Sequence, residues 1–190
     1  ILLEKYGERT ESLKQIFNKS REAATLQFMG MKDDGESMSK LVDELDRSSE
    51  FAQDMHERSE IITRMVEELD EQGKLSPLSA LCMGHVELFE VSLSRVTRVP
   101  LANVRKLLTD ATGEGFRALY KKARLPDTIY DAMRLVHKVV RDMEKDYPDM
   151  RKPAHAMISN IMTHAEREEK EIENLSYFIN LIHKHNKKPE

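Results

Sequence analysis

Two stretches of this chain repeat one design 26 residues apart. The first runs Leu93-Ser94-Arg95-Val96-Thr97-Arg98-Val99-Pro100-Leu101-Ala102-Asn103-Val104-Arg105-Lys106-Leu107-Leu108. The second runs Leu119-Tyr120-Lys121-Lys122-Ala123-Arg124-Leu125-Pro126-Asp127-Thr128-Ile129-Tyr130-Asp131-Ala132-Met133. Each reads as a helix end with basic residues, an Arg-aliphatic-Pro corner, and a new helix with apolar positions every three or four residues. Proline in the first turn of a helix loses no hydrogen bond, and its fixed φ starts the turn. Repeated helix-corner-helix units predict stacked helical hairpins.

The rest of the chain agrees with helices. Gly and Pro number 7 and 6, there is no Trp, 11 residues are Met, and 34% are charged. That balance favours long amphipathic helices over sheets. No segment alternates with period two, so no sheet is expected. A chain of 190 residues buries roughly 70% of its unfolded surface, enough for a core without disulfides or metal. Cys82 is the only cysteine, which excludes an intrachain disulfide and fits a reducing cytoplasm. No apolar run approaches the length of a membrane span, and no secretory signal pattern is present. The expected location is the cytoplasm.

Along the chain, residues 8–31 and 37–56 read as two amphipathic helices. The second is polar enough to serve as a linker. Together, residues 1–57 form an N-terminal segment whose apolar faces suggest pairing with another copy, a homodimer. Residues 58–72 form the next helix, ended by a left-handed cap at Gly73. Ser76 caps a helix begun by Pro77, and the stripe Leu78, Leu81, Cys82, Val86, Phe89, Leu93 carries it to the first corner. Asp110 to Gly113 make a turn, and a short helix leads to Arg124. Pro126 opens a helix running to about Lys145. The last helical stretch covers 153–185, and its charged middle, Glu166 to Lys170, marks a bend or a break into two helices. Residues 58–186 then form the main helical domain.

Charge is distributed unevenly. The net charge is −4, but residues 1–73 carry ten basic and eighteen acidic side chains, net −8. Residues 95–124 carry eight basic and two acidic, net +6. The basic segment either faces the acidic N-terminal part within the fold or attracts an acidic partner.

Candidate chemistry is sparse. Cys82 and His85 lie three apart, but two ligands do not make a zinc site, and Cys82 sits on the apolar stripe. No His-Glu-x-x-His or di-iron pattern occurs. His85, His137, His155 and His164 fall on helices, where a phosphotransfer histidine could sit, but no motif surrounds them. His183 and His185 lie in a basic tail and read as solvated. Gly113-Glu114-Gly115 opens a helix whose free N–H groups could hold an anion, but a plain interhelical turn is the preferred reading. No phosphate loop or nucleophile elbow is present. No cofactor is expected. Residues 93–108 do fit a helix-turn-helix, with Leu101, Asn103, Arg105 and Lys106 offered to a groove. Against it, Arg98 replaces the usual turn glycine, and the second unit has Tyr120 where a small residue belongs.

A family resemblance covers residues from about 58 to 145. Its residues are Ile61-Ile62, Leu69, Gly73-Lys74-Leu75-Ser76, Ala80-Leu81-Cys82-Met83-Gly84, Leu88-Phe89-Glu90, Leu93, Val99-Pro100, Val104, Leu107-Leu108, Asp110, Gly115, Ala118-Leu119-Tyr120, Lys122-Ala123, Leu125-Pro126 and Tyr130. In these the chain resembles domain of unknown function 2336, an uncharacterised, mainly alphaproteobacterial family. Residues 1–57 show no clear match. The chain departs from the pattern at His85, where an acidic residue is common, and at Arg124, where glycine is common. The resemblance implies a HEAT-like helical repeat and supplies no reaction.

The sequence thus predicts an all-α protein of antiparallel hairpins, stacked as a HEAT-like repeat or a multi-helix bundle. Its expected role is a non-enzymatic protein-interaction or scaffold module. Arg95, Arg98, Arg105, Lys106, Lys121, Lys122 and Arg124 would meet an acidic protein partner. The alternatives are a DNA-binding regulator using 93–108 and, more weakly, a histidine phosphotransfer or signalling enzyme.

Overall fold

The structure is a computed structural model that describes residues 39–40, 42–44, 47, 55–148, 151–167 and 172–186. All belong to the second of two units into which the chain divides, Asp34–Glu190. The helix expected over 8–31 and most of that over 37–56 lie outside the described residues, as does the homodimer contact proposed for them. The described part of 39–47 is helical, and Val42 within it is fully buried.

The elements are α1 (Met55–Glu71), α2 (Pro77–Cys82), α3 (Val86–Thr97), α4 (Leu101–Leu108), α5 (Glu114–Lys122), α6 (Tyr130–Asp142), α7 (Ala154–Arg167) and α8 (Leu175–His185). Short 3-10 turns at Asp127–Ile129 and Met143–Lys145 flank α6. The fold is all-α, with no strand among the described residues.

Both corners adopt one design, as their sequences suggest. Arg98 and Arg124 take left-handed backbone, with φ of 53° and 56°. That conformation ends a helix and favours glycine, which is the physical reason glycine suits position 124. A hydroxyl in equivalent register clasps each corner. Ser94 Oγ donates to the Val99 carbonyl at 2.7 Å, and the Tyr120 hydroxyl donates to the Pro126 carbonyl. The tyrosine that looked out of place is thus the second clasp. The prolines sit one position earlier than expected. Pro100 is the N-cap of α4, its carbonyl accepting from Asn103 N at 2.8 Å and Val104 N at 3.0 Å, and Pro126 precedes the 3-10 turn.

Left-handed φ costs an L-residue about 1 kcal/mol or more, which glycine avoids. Arg98→Gly and Arg124→Gly are therefore each expected to raise stability by about 1 kcal/mol in urea titration. An unchanged or lower midpoint would show that these corners are not strained.

One expected helix is two. The stripe from Leu78 to Leu93 suggested a continuous run, but the chain turns at Met83–His85. Gly84 has φ of 74°, Gly84 N donates to Leu81 O at 2.9 Å and His85 N to Ala80 O at 3.2 Å. This is a glycine-capped helix end, and His85 begins α3 in extended conformation. The apolar period survives the break, so periodicity alone could not see it. Downstream, the long stretch 153–185 does divide. Asn174, with φ of 61°, precedes α8 and anchors through Nδ2 to Thr128 O at 2.7 Å.

The core explains the arrangement. Every residue of α2 is buried, and α2 packs against α3, α6 and α8. Ser76 Oγ accepts from Ser79 N at 3.0 Å, which caps this wholly buried helix. The elements packed on it bury Leu88 and Phe89 of α3, Val136 and Val140 of α6, and Phe178 and Ile182 of α8, and α1 buries Ile62, Val66 and Leu69 while packing on α3. Also, α4 packs on α5, and α6 on α7. An open stack of hairpins keeps contacts between sequence neighbours. Here α8 closes onto α2, with Asn186 Nδ2 donating to Cys82 O at 3.2 Å. The HEAT-like order expected from the sequence is not confirmed by these contacts; a bundle closed around α2 describes them.

Candidate interaction surface

The basic segment splits into tied and untied residues. On α3, Arg95 Nε lies 2.7 Å from Asp70 Oδ2 and its Nη1 3.8 Å from Glu67 Oε1, both on α1. On α4, Arg105 Nε lies 2.9 Å from Glu90 Oε2 and its Nη2 3.3 Å from Glu87 Oε1. Arg58 and Arg141 extend this lattice to Glu87 at 3.9 Å and to Glu90 at 3.8 Å. Glu90 is only 7% exposed. Burial pushes its carboxyl pKa upward, against the pull of Arg105 and Arg141. Arg95 and Arg105 are therefore used within the fold, partly by the acidic residues of α1.

Arg98, Lys106, Lys121, Lys122 and Arg124 are exposed, and none of them has an ion-pair partner among the described residues. They sit at the C-terminal ends of α3 and α5 and on the outer side of α4. Of the residues proposed to read DNA, Asn103 and Lys106 are exposed, Leu101 is half-buried, and Arg105 is held by Glu87 and Glu90.

The histidines separate by burial. His85 is 2% exposed and caps α3, its Nδ1 accepting from Leu88 N at 3.3 Å. The proton of the neutral ring then belongs on Nε2, which faces Arg58 Nη2 at 3.5 Å, donor against donor. Burial, then Arg58, Lys152 and Arg151, lower its pKa to about 3. His137 packs between Phe89 and Phe116, at 5.4 and 5.3 Å between ring centres. Burial, helped by Arg141, lowers its pKa to about 3 as well. His185 was expected to be solvated; instead it is buried on the inner side of α8, while His183 is exposed. His155 is exposed, and His164 Nδ1 lies 2.9 Å from Asn160 O. Cys82 is fully buried in α2. Among the described residues no group of three or more His, Cys, Asp or Glu side chains is placed to hold a metal ion.

Two features were invisible in the sequence. The N-terminus of α5, considered as an anion site, is filled by the chain's own carboxylate. Asp110 Oδ2 accepts from Gly115 N at 2.9 Å and Oδ1 from Thr112 N at 3.1 Å. Secondly, Arg151 and Lys152 form a polar clasp beside the Gly84 turn. Arg151 donates to Asn186 Oδ1 at 3.0 Å, Asp43 Oδ1 at 2.8 Å and His185 O at 2.7 Å. Lys152, buried, pairs with Glu144 and donates to Tyr147 O at 2.7 Å. Neither lies in a recognisable motif, so only the fold reveals the pairing.

This all-α bundle with its clasped basic corners falls in a bacterial class without an assigned reaction. The chain belongs to the family described as "Uncharacterised protein conserved in bacteria (DUF2336)", which matches residues 2–171. The match reaches well beyond 58–145 and takes in the N-terminal residues that had shown no clear likeness. No curated protein and no solved structure matches the chain. Among the described residues no helix is long and apolar enough to cross a membrane.

Proposed function

We propose that this chain is a non-enzymatic, cytoplasmic interaction module whose basic corner surface binds an acidic protein. The observation that carries the reading is the division of the basic set. Arg95 and Arg105 serve the fold, whereas Arg98, Lys106, Lys121, Lys122 and Arg124 are exposed with no ion-pair partner among the described residues. Exposed like charges repel one another and are relieved by a complementary surface.

Fluorescence anisotropy with labelled poly-L-glutamate tests this. The full chain is expected to bind, and Lys121→Glu/Lys122→Glu to weaken binding about tenfold, as steered association loses its complementary field. Raising ionic strength should weaken the wild type, because exposed charges are screened within about 8 Å at physiological salt. Wild-type binding that ignores both salt and the charge reversal contradicts the reading. A mixed DNA duplex that binds at low salt in preference to poly-L-glutamate favours the regulator instead.

A further inference from the structure

We propose that Arg98 and Arg124 are the anchoring residues of this surface, each gripping a carboxylate of an acidic polypeptide. The inference rests on the reading above and names which cations set its specificity.

Both residues hold left-handed backbone, at φ of 53° and 56°, where an L-side chain is strained and glycine is not. Neither guanidinium repays this inside the fold. Both are exposed, and neither has an ion-pair partner among the described residues. Compensation of the helix dipole does not require them, because Arg95 already lies in the last turn of α3 and Lys121 and Lys122 in that of α5. Strain that the surroundings enforce and the fold does not use is concentrated at functional positions.

The corners are also held rigid. Ser94 clasps the first at 2.7 Å and Tyr120 the second, so each arginine leaves a fixed backbone. The helices that end in them, α3 and α5, pack against each other. A guanidinium offers a planar fork that matches a carboxylate in two parallel hydrogen bonds, which lysine cannot reproduce. A carboxylate-bearing polypeptide fits better than a polyphosphate. Arg105, the natural base reader on α4, is held by Glu87 and Glu90.

The test compares full-length wild type, R98K/R124K, R98G/R124G and the exposed control R134K, with poly-L-glutamate and a mixed DNA duplex as probes. R98K/R124K keeps the charge but loses the fork, so its Kd for poly-L-glutamate should rise about tenfold while its Tm stays unchanged. R98G/R124G should melt higher than wild type yet bind more weakly still. R134K should match wild type on both counts. If R98K/R124K binds poly-L-glutamate as tightly as wild type, the anchoring role is overturned while the basic surface stands. If wild type does not bind poly-L-glutamate, or prefers the duplex, both readings fall.

Discussion

Alanine at Gly84 or Gly115 is expected to cost about 3–4 kcal/mol each, since overpacking adds to any backbone strain. The two glycines are needed for different reasons. At Gly115 a Cβ would meet the Leu107 carbonyl oxygen and lie 2.8 Å from Leu107 Cα. That is backbone against backbone where α5 crosses α4, and neither can give without moving a helix. At Gly84 a Cβ would lie 2.7 Å from Lys152 Cβ and from Met157 Sδ. The φ of 74° adds strain of its own. Gly73 and Gly113 are the internal controls. Both have positive φ, but a Cβ there meets nothing within 4 Å, so alanine should cost only about 1 kcal/mol. Thermal unfolding followed by circular dichroism should rank Gly84 and Gly115 clearly above Gly73 and Gly113. Equal losses at all four would mean that the α4–α5 and Gly84–Lys152 approaches are looser than the structure has them.

Acid should unfold this protein through two buried imidazoles. The pKa values of His85 and His137 fall from the ordinary 6.5 to about 3. Between those values the unfolded chain binds protons that the folded chain refuses. Stability therefore rises with pH across the window and is lost as pH falls. Each ring contributes a slope of about 1.4 kcal/mol per pH unit, so the pair approaches ~2.7. Glu90 acts the other way. Its raised pKa means the folded state holds the proton more tightly just above the ordinary value of 4.5, which offsets part of the slope there. From pH 6.5 to 4 such a slope removes about 6 kcal/mol, so a domain near the low end of the usual ~5–15 kcal/mol is expected to unfold by roughly pH 4.

His85→Asp separates the two rings. An aspartate at this N-cap accepts from Leu88 N as the imidazole does, and it faces Arg58, Arg151 and Lys152 with the complementary charge. The variant should be more stable than wild type at pH 7 by about 1 kcal/mol, and lose about half of the acid slope between pH 6 and 5. Urea midpoints measured across pH decide this. A wild-type midpoint flat from pH 7 to 4 would mean that the imidazoles are not held neutral by the fold.

The helices were legible because their signals are local. Gly73, Ser76 with Pro77, and the turn ending in Gly113 each mark a boundary through their own chemistry, and the structure places boundaries there. The echo between the corners was legible too, down to the equivalent roles of positions 98 and 124. The break at Gly84 was not, because the apolar stripe stays in phase across it. The closure of α8 onto α2 was also hidden, since it joins residues about a hundred positions apart and leaves no periodic trace. The basic segment was readable as charge. Which cations serve the fold was not, because Glu67, Asp70, Glu87 and Glu90 reach Arg95 and Arg105 only after α1, α3 and α4 have packed.

Mapping poly-L-glutamate binding by backbone amide shifts tests the proposed surface most directly. The account predicts that the perturbed amides cluster at Arg98, Lys106, Lys121, Lys122 and Arg124 and spare the clasp at Arg151 and Lys152. Shifts centred on the clasp, or no saturable shifts at the two corners, would contradict it.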